Sequence, residues 1–298
     1  MIRVADEVRD ALAGRGAVVA LETTLVAHGF PPGEGVEVGL ESERQVRAGG
    51  AVPATVGVLD GEVRVGLTPE ELSRFGGDAR KVGPRDLAVA AVQGAVGATT
   101  VGGTLAVARS TGIRVLATGG IGGVHRGFPD PPDVSADLAQ LARTPVLVVS
   151  AGVKSLLDVP ATTELLESLG VPVLGFRVDT LPLFYGAAGG PPVSARVESA
   201  AEAARVAEAH WRLGGAGLLL GRAPDKPLED VEPLIDEALA AAARVGVTGQ
   251  AVTPFVLAHL HRESGGRTEA ANRALVAQNA RLAGEVALEI AALEQEHG

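Results

Sequence analysis

Short runs of apolar, mostly β-branched residues alternate along the chain with longer amphipathic stretches. The apolar runs predict strands at 17–23, 55–66, 114–120, 146–152, 171–178 and 217–221. The amphipathic stretches predict helices at 35–48, 68–75, 84–95, 102–111, 135–143, 160–169, 198–213, 228–244 and 268–296. This alternation predicts an α/β fold with a largely parallel central sheet covered by helices on both faces.

The pair Asp60-Gly61 lies between two alternating stretches and is a strong hairpin signal, so the sheet is expected to be mixed. A hairpin at this position also argues against an eight-stranded βα barrel. No internal repeat and no linker interrupts the pattern. We therefore expect a single domain over residues 1–298.

Charge and composition exclude several classes of protein. The formal net charge is −10, which argues against nucleic acid as a partner. The chain has no cysteine, so disulfides, thiolate nucleophiles and cysteine-ligated zinc are excluded. No run of about 18 apolar residues is present, and the charged N-terminus does not resemble a signal peptide. These features predict a cytoplasmic protein that does not bind membranes.

Three predicted strands end in segments rich in small and titratable residues: ETTLVAHG (22–29), TGGIGGVHRG (118–127) and SAGVKS (150–155). Ligands of open α/β sheets bind outside the carboxyl ends of the strands. Small residues in these segments let a ligand approach the backbone. The sequence thus predicts a binding site where these three segments meet.

Lys154 is one of only three lysines among 26 basic residues, and it follows an apolar strand directly. An exposed lysine amine is almost fully protonated at neutral pH and cannot attack carbon. Burial beside residues such as Val153 and Leu156 favours the neutral, nucleophilic amine. The alternative is a surface lysine at the start of a helix. Its rarity and its position favour a nucleophile.

Glu22 closes the apolar run VVALE, where a carboxylate is unfavourable unless it is paired or has a function. Its position at a strand end makes it a candidate general acid or base. A helix cap or a salt bridge is the simpler alternative. Glu22 and Lys154 lie at the ends of different predicted strands, and each makes a functional role for the other more convincing.

The segment DPPDVSADL places Asp130, Asp133 and Asp137 close together. If the segment is helical, Asp133 and Asp137 share one face and offer oxygen ligands to a hard cation. Capping of the following helix by an aspartate or by Ser135 is the alternative. Since no histidine or cysteine cluster is near, any metal is expected to be Mg²⁺ or Mn²⁺.

Two glycine-rich turns are candidates for phosphate binding. TGGIGG (118–123) lacks the dinucleotide spacing but exposes backbone amides close to His125 and Arg126. GGTLAVA (102–108) offers a second turn before a helix. Lys81 either neutralises phosphate or lies on a solvated loop, and Asn279 either contacts a base or faces solvent.

The same segments resemble the pseudouridine-5'-phosphate glycosidase family, also called indigoidine-synthase-A-like. The resemblance is carried by VVALETTLVAHG, TGGIGGVHRG, DVSADL, SAGVKSLLD and ALVAQNARLAGEVA, and it extends in unbroken order from about residue 4 to residue 293. It implies a three-layer α/β/α fold, commonly assembled as a homotrimer. The implied activity is the reversible conversion of pseudouridine 5'-phosphate into uracil and ribose 5-phosphate.

The resemblance also implies roles for individual residues. Lys154 would be the nucleophile and Glu22 the proton donor, and Asp133 would bind Mn²⁺, with Mg²⁺ or another divalent cation as the alternative. The implied substrate contacts are Lys81, Val101, Ser135, Ala136, Asp137, Thr118, His125 and Asn279.

The implied bond to be cut joins ribose C1′ to uracil C5. Ordinary glycosidases protonate a leaving oxygen, but carbon has no lone pair to protonate. A lysine imine at C1′ and a carboxylic acid that protonates C5 solve this problem together, and Lys154 and Glu22 supply both groups. Two alternatives remain open: a class I aldolase-like enzyme with a strand-end lysine, and a non-catalytic regulator that binds a phosphosugar.

Overall fold

The computed structural model describes residues 2–31, 33–130, 132–187, 189–228 and 230–296. The strands in these ranges are β1 (Ile2–Val4), β2 (Val18–Glu22), β3 (Val52–Leu59), β4 (Glu62–Val65), β5 (Arg80–Val82), β6 (Gly97–Thr99), β7 (Val115–Ala117), β8 (Val124–His125), β9 (Leu147–Ser150), β10 (Leu157–Asp158), β11 (Val173–Phe176), β12 (Ala195–Val197) and β13 (Leu218–Arg222). The helices are α1 (Asp6–Ala13), α2 (Thr24–His28), α3 (Gly35–Ala48), α4 (Pro69–Leu72), α5 (Leu87–Val92), α6 (Val101–Thr111), α7 (Ala136–Leu141), α8 (Val159–Ser168), α9 (Ala200–Arg212), α10 (Glu232–Arg244), α11 (Val252–Glu263) and α12 (Arg267–Glu296).

The central sheet has the strand order β1-β4-β3-β2-β7-β9-β13-β11-β12, and β5 and β6 join it through β3. Neighbours from β2 to β12 along this path pair in parallel, whereas β3 pairs antiparallel with β4 and β6. The sheet is therefore mixed and largely parallel. Asp60 and Gly61 both have positive φ, at 52° and 80°, and form the predicted tight turn between β3 and β4.

Side chains alternate between two hydrophobic layers along each central strand. In β2, Val18 and Ala20 pack into one layer, and Val19 and Leu21 pack into the other. Helices α1, α6, α7 and α8 contribute to the first layer, and α3, α9 and the C-terminal part of α12 contribute to the second. Because helices cover both faces of the sheet, the predicted three-layer α/β/α fold is confirmed.

The order in which strands are added to this sheet reverses at β2. From β2 the chain continues to β3 on one side, and it later returns to β7 on the other side of β2. A crevice forms outside the carboxyl ends of two strands at such a switch point. None of the helices in the described part of the chain has the length and apolar character needed to cross a membrane.

Candidate active site

The three predicted site segments lie side by side. Strands β2, β7 and β9 are parallel neighbours, so their carboxyl ends share one edge of the sheet. Glu22 ends β2, Thr118 follows β7 directly, and Lys154 lies four residues after the end of β9. The Lys154 amide donates to the Ile121 carbonyl at 3.2 Å, which ties the lysine loop to the glycine turn.

Gly152 shapes the loop that carries Lys154. Its φ is +84°, and a Cβ at this position would lie 2.0 Å from the Pro182 carbonyl oxygen. Only glycine tolerates both the left-handed backbone and this close approach. The Ser-Ala-Gly turn before Lys154 is therefore required for the path of the chain.

Glu22 is only 7% exposed and accepts a hydrogen bond of 2.5 Å from the Thr118 hydroxyl. Burial raises the pKa of the Glu22 carboxyl, and the nearby Asp137 acts in the same direction. Lys154 and the Thr118 hydrogen bond oppose this shift without cancelling it. The site thus favours a carboxyl group that retains its proton to higher pH than an ordinary glutamate.

A second amine shares the site with Lys154. Lys81 lies on β5, partly buried, and burial lowers its pKa to about 8, with the charge of Lys154 as the next cause. Asp137 and Glu22 act in the opposite direction. Lys81 is therefore a strand residue that faces the candidate site, and the alternative of a solvated loop is wrong.

A cavity of about 50 Å³ collects these groups. It is lined by Glu22, Thr24, Leu25, His28, Gly29, Lys81, Thr118, Gly119, Gly120, Lys154, Phe184, Thr253, Pro254, Leu257 and Asn272. An adjoining cavity of about 510 Å³ shares His28, Gly29, Pro254 and Leu257 with it. A further cavity of about 670 Å³ contains neither Lys154 nor Glu22, so size alone does not identify the site.

Asp137 holds two glycine segments together. Its Oδ1 accepts from the Gly102 amide at 2.7 Å, and its Oδ2 accepts from the Gly122 amide at 2.9 Å. These amides belong to the two turns that the sequence predicts as phosphate sites. The prediction that they bind phosphate is therefore wrong for Gly102 and Gly122, because a carboxylate of the protein itself already occupies both donors.

Other predicted substrate contacts surround Asp137. Ser135 caps α7, and its hydroxyl accepts from the Asp137 amide at 3.2 Å, as the capping alternative expects. Ala136 begins α7 and is exposed. Val101 begins α6 with a buried side chain. A substrate contact at Val101 would therefore involve its backbone.

Asp133 lies outside the helix. Because α7 starts at Ala136, Asp133 and Asp137 do not share a helix face, and the expectation of a joint carboxylate pair is wrong. The Asp133 Oδ2 lies 3.7 Å from the His125 Nδ1. Burial lowers the pKa of His125, and Asp133 opposes this effect. Among the described residues, no group of three or more histidine or acidic side chains could hold a metal ion.

Arg126 is not directed at the anion site predicted in the turn at residues 118–123. Its guanidinium contacts Asp236 at 2.8 Å and Glu232 at 2.7 Å, and it donates to the Ser155 carbonyl. The predicted phosphate contact at Arg126 is wrong, because acidic side chains of α10 already bind the group. His125, by contrast, remains partly exposed beside Asp133.

Asn279 is fully buried behind the Thr118 turn. Its Nδ2 donates to the Thr118 carbonyl at 2.9 Å, so the alternative that it faces solvent is wrong. A different asparagine, Asn272, lines the cavity itself and is not among the predicted substrate contacts. A signal was present: Asn272 and Asn279 are the only asparagines in the chain, and they lie seven residues apart on one helix.

Together, the fold and this edge of the sheet define an α/β protein with two amines and a buried carboxyl group at a topological switch point. The family model described as "Indigoidine synthase A like protein" matches residues 7–289. The chain belongs to this family, and the resemblance predicted from the sequence is confirmed.

Sequence similarity to known proteins extends over almost the whole chain. A protein of Herpetosiphon aurantiacus named pseudouridine-5'-phosphate glycosidase is 48% identical over 293 residues, which cover 96% of each chain. One of the same name from Chloroflexus aurantiacus is 47% identical, with 98% of this chain and all of the relative covered. A third, from Roseiflexus, is 48% identical, with 98% and 96% covered.

Two solved structures share the fold. The prealnumycin C-glycosynthase AlnA, in complex with ribulose 5-phosphate, superposes with a TM-score of 0.89 at 42% identity, and 99% of each chain is covered. An indigoidine synthase A-like protein of Thermotoga maritima has a TM-score of 0.87 at 34% identity, with 98% of this chain and 97% of the other covered. The fold is therefore not an aldolase barrel.

Proposed function

We propose that this protein is a pseudouridine-5'-phosphate glycosidase, which reversibly cleaves the C–C bond between ribose and uracil to give uracil and ribose 5-phosphate. The observation that supports this most directly is the pairing of Glu22, with its raised pKa, and Lys154 in one cavity. The names of relatives at 47–48% identity agree with this reading.

The first proposed step forms a covalent bond at ribose C1′. The Nζ of Lys154 attacks C1′, the bond from C1′ to the ring oxygen breaks, and the proton that the nitrogen releases passes to that oxygen. The ribose ring is then open, and C1′ carries both the lysine nitrogen and uracil C5. Lys154 is suited to this role because the glycine turn brings it to the cavity that also contains Glu22.

In the second step the C1′–C5 bond breaks. The lone pair of the lysine nitrogen forms the C1′=N bond, and the electron pair of the C1′–C5 bond passes to uracil C5. Glu22 delivers a proton to C5 as the base departs. The Thr118 hydroxyl holds Oε1 of Glu22, which leaves Oε2 to exchange the proton. Water then hydrolyses the imine, which releases ribose 5-phosphate and regenerates the Lys154 amine.

Lys81 is proposed to bind the substrate phosphate, with the first backbone amide of α6, that of Val101, as a further donor. The two predicted glycine cradles are filled by Asp137, so Lys81 becomes the main cationic candidate. Ser135 retains a hydroxyl proton that it can donate to the substrate.

Asp133 is the proposed ligand of Mn²⁺, or of Mg²⁺ in its place. A single, partly exposed carboxylate fits a hard cation that keeps most of its water, whereas it does not fit a closed all-protein site. When bound, the cation would supply positive charge next to substrate oxygens. A homotrimer is proposed from the family resemblance alone.

The decisive experiment measures uracil release from pseudouridine 5'-phosphate by absorbance or chromatography, with and without Mn²⁺. We expect release that a chelator abolishes without unfolding the protein and that added Mn²⁺ restores. Asp133→Asn should raise the metal concentration needed, whereas Asp130→Asn in the same loop should not. Binding of ribose 5-phosphate without any uracil release would instead favour the non-catalytic regulator.

A further inference from the structure

Lys154 begins a tight turn that separates two cavities. The Leu157 amide donates to the Lys154 carbonyl at 3.0 Å and closes the turn. The Lys154 side chain lines the cavity that contains Glu22, whereas the next residue, Ser155, lines the cavity of about 670 Å³. The backbone between these two residues is therefore part of the wall between the cavities, and its position determines where the Lys154 amine lies.

One neighbouring segment, residues 121–126, holds this turn at its two ends. Before the turn, the Lys154 amide donates to the Ile121 carbonyl at 3.2 Å. After the turn, β10 pairs antiparallel with β8. The carbonyl of Ser155, in the middle of the turn, takes part in neither contact. The larger cavity borders the turn at this residue, so packing alone does not fix it there.

Arg126 supplies a bond to the middle of the turn. Its Nη2 donates to the Ser155 carbonyl at 2.9 Å. Ser155 is 9% exposed, and within the described part of the chain no other group donates to this carbonyl. The guanidinium has several donors in a fixed plane, so it also binds the carboxylates of Glu232 and Asp236 on α10, at 2.7 and 2.8 Å. These carboxylates anchor the guanidinium and fix its direction towards the turn.

We propose that Arg126 is a positioning residue for the nucleophile, an inference that rests on the proposed function. Its bond to the Ser155 carbonyl holds the turn in the orientation that directs the Lys154 amine at ribose C1′. Arg126 does not line the cavity that contains Glu22, so it acts on the reaction only through the turn. The effect on rate is large, because a displacement of about 1 Å in a reacting group can cost about 100-fold.

The test separates the rate of attack from the binding of the sugar phosphate. Aliquots quenched with borohydride at timed intervals convert the imine of Lys154 and ribose 5-phosphate into a stable amine, which mass spectrometry counts. A series of ribose 5-phosphate concentrations then gives a maximal rate and a half-saturating concentration. In Arg126→Ala we expect the maximal rate to fall roughly 10- to 100-fold, because the amine is less well placed. The half-saturating concentration should stay unchanged, because Lys81, the proposed phosphate ligand, is untouched.

Asp236→Asn is the matched control, since it weakens one contact to α10 and keeps the bond to the Ser155 carbonyl, while Glu232 still anchors the guanidinium. It should leave both quantities unchanged. A wild-type maximal rate in Arg126→Ala would overturn the inference. An equal loss in Asp236→Asn would also overturn it, because the arginine would then act by attaching α10.

A rise in the half-saturating concentration alone would contradict the inference as well, because it would place Arg126 in sugar-phosphate binding. Arg126→Gln, which is uncharged and shorter, gives the same comparison if the alanine variant does not fold. A wild-type protein that traps no ribose 5-phosphate and releases no uracil would refute the proposed function itself.

Discussion

Two buried carboxylates, Glu22 and Asp137, lie close enough to influence each other, yet their surroundings differ sharply. Asp137 is 5% exposed, and each of its oxygens accepts a backbone amide, from Gly102 and Gly122. Glu22 is similarly buried at 7% exposure, but its one described side-chain partner is the Thr118 hydroxyl. Both groups lie near Lys81, and burial raises the pKa of the Glu22 carboxyl.

The difference separates a structural hydrogen-bond acceptor from the proposed proton carrier. Asp137 is fully engaged, and it fixes the turns around the site. Glu22 has one donor and a desolvated environment, so protonation is favoured. A buried acidic side chain can therefore hold the surrounding turns in place, as Asp137 does, or be free to transfer a proton, as proposed for Glu22.

The largest expected effect concerns Lys154, the proposed nucleophile beside Glu22. Lys154→Ala should abolish both uracil release and the borohydride adduct with ribose 5-phosphate, because no other group would form the imine. Lys81→Ala is the control, and it should still form an adduct, with weaker binding of the phosphate. Peptide mapping of the trapped protein by mass spectrometry locates the adduct. An adduct on Lys81 or Lys226 in the wild-type protein would contradict the assignment.

Glu22→Gln tests whether Glu22 transfers a proton, as proposed. Glutamine keeps the size of the side chain and can still accept the Thr118 hydrogen bond, but it cannot transfer a proton. Uracil release should fall by roughly two to four orders of magnitude, the usual range for a lost general acid, whereas ribose 5-phosphate trapping should persist. Release at the wild-type rate would show that another group moves the proton. Loss of trapping in a folded variant would instead place Glu22 in ring opening.

Much of this edge of the sheet follows from local sequence pattern. The strand ends that carry Glu22, Thr118 and Lys154 are predictable, because parallel strands end at one edge and small residues mark the ligand side. The turn at Asp60-Gly61 is predictable because its backbone demands those residue types. These features depend on residues close in sequence.

Features that depend on distant residues are not predictable in this way. The bonds of Asp137 to Gly102 and Gly122 span 35 and 15 residues, so the sequence shows two free glycine turns where the structure has one carboxylate. Lys81 lies on a strand of three residues, too short for a periodic pattern. Helix α11 is also absent from the prediction, since Pro254 lies within its first turn and reads as a helix breaker.

Lys81 provides a smaller, pH-dependent effect. Its pKa is lowered to about 8, so its positive charge is complete well below pH 8 and is lost as the pH rises through that value. If Lys81 binds the phosphate, kcat/KM for pseudouridine 5'-phosphate should fall about tenfold per pH unit above that pKa. In Lys81→Met, binding should be weaker at every pH, and this decline should vanish. Persistence of the decline in Lys81→Met would assign it to another group, such as Glu22.

The smallest expected effect tests the structural half of the comparison. In Asp137→Asn, one side-chain position that accepts a backbone amide becomes an NH₂ group, so the Gly102 or the Gly122 amide loses its acceptor. A buried donor without a partner costs about 1–3 kcal/mol, so the free energy of unfolding should fall by that amount in thermal or denaturant melts. Asp130→Asn, an exposed change in the preceding loop, should leave stability unchanged. Because Glu22 and Lys154 remain, the folded variant should still trap ribose 5-phosphate. An unchanged free energy of unfolding together with a strongly raised KM would show that Asp137 acts on the substrate directly. The contrast between a structural Asp137 and a proton-transferring Glu22 would then be wrong.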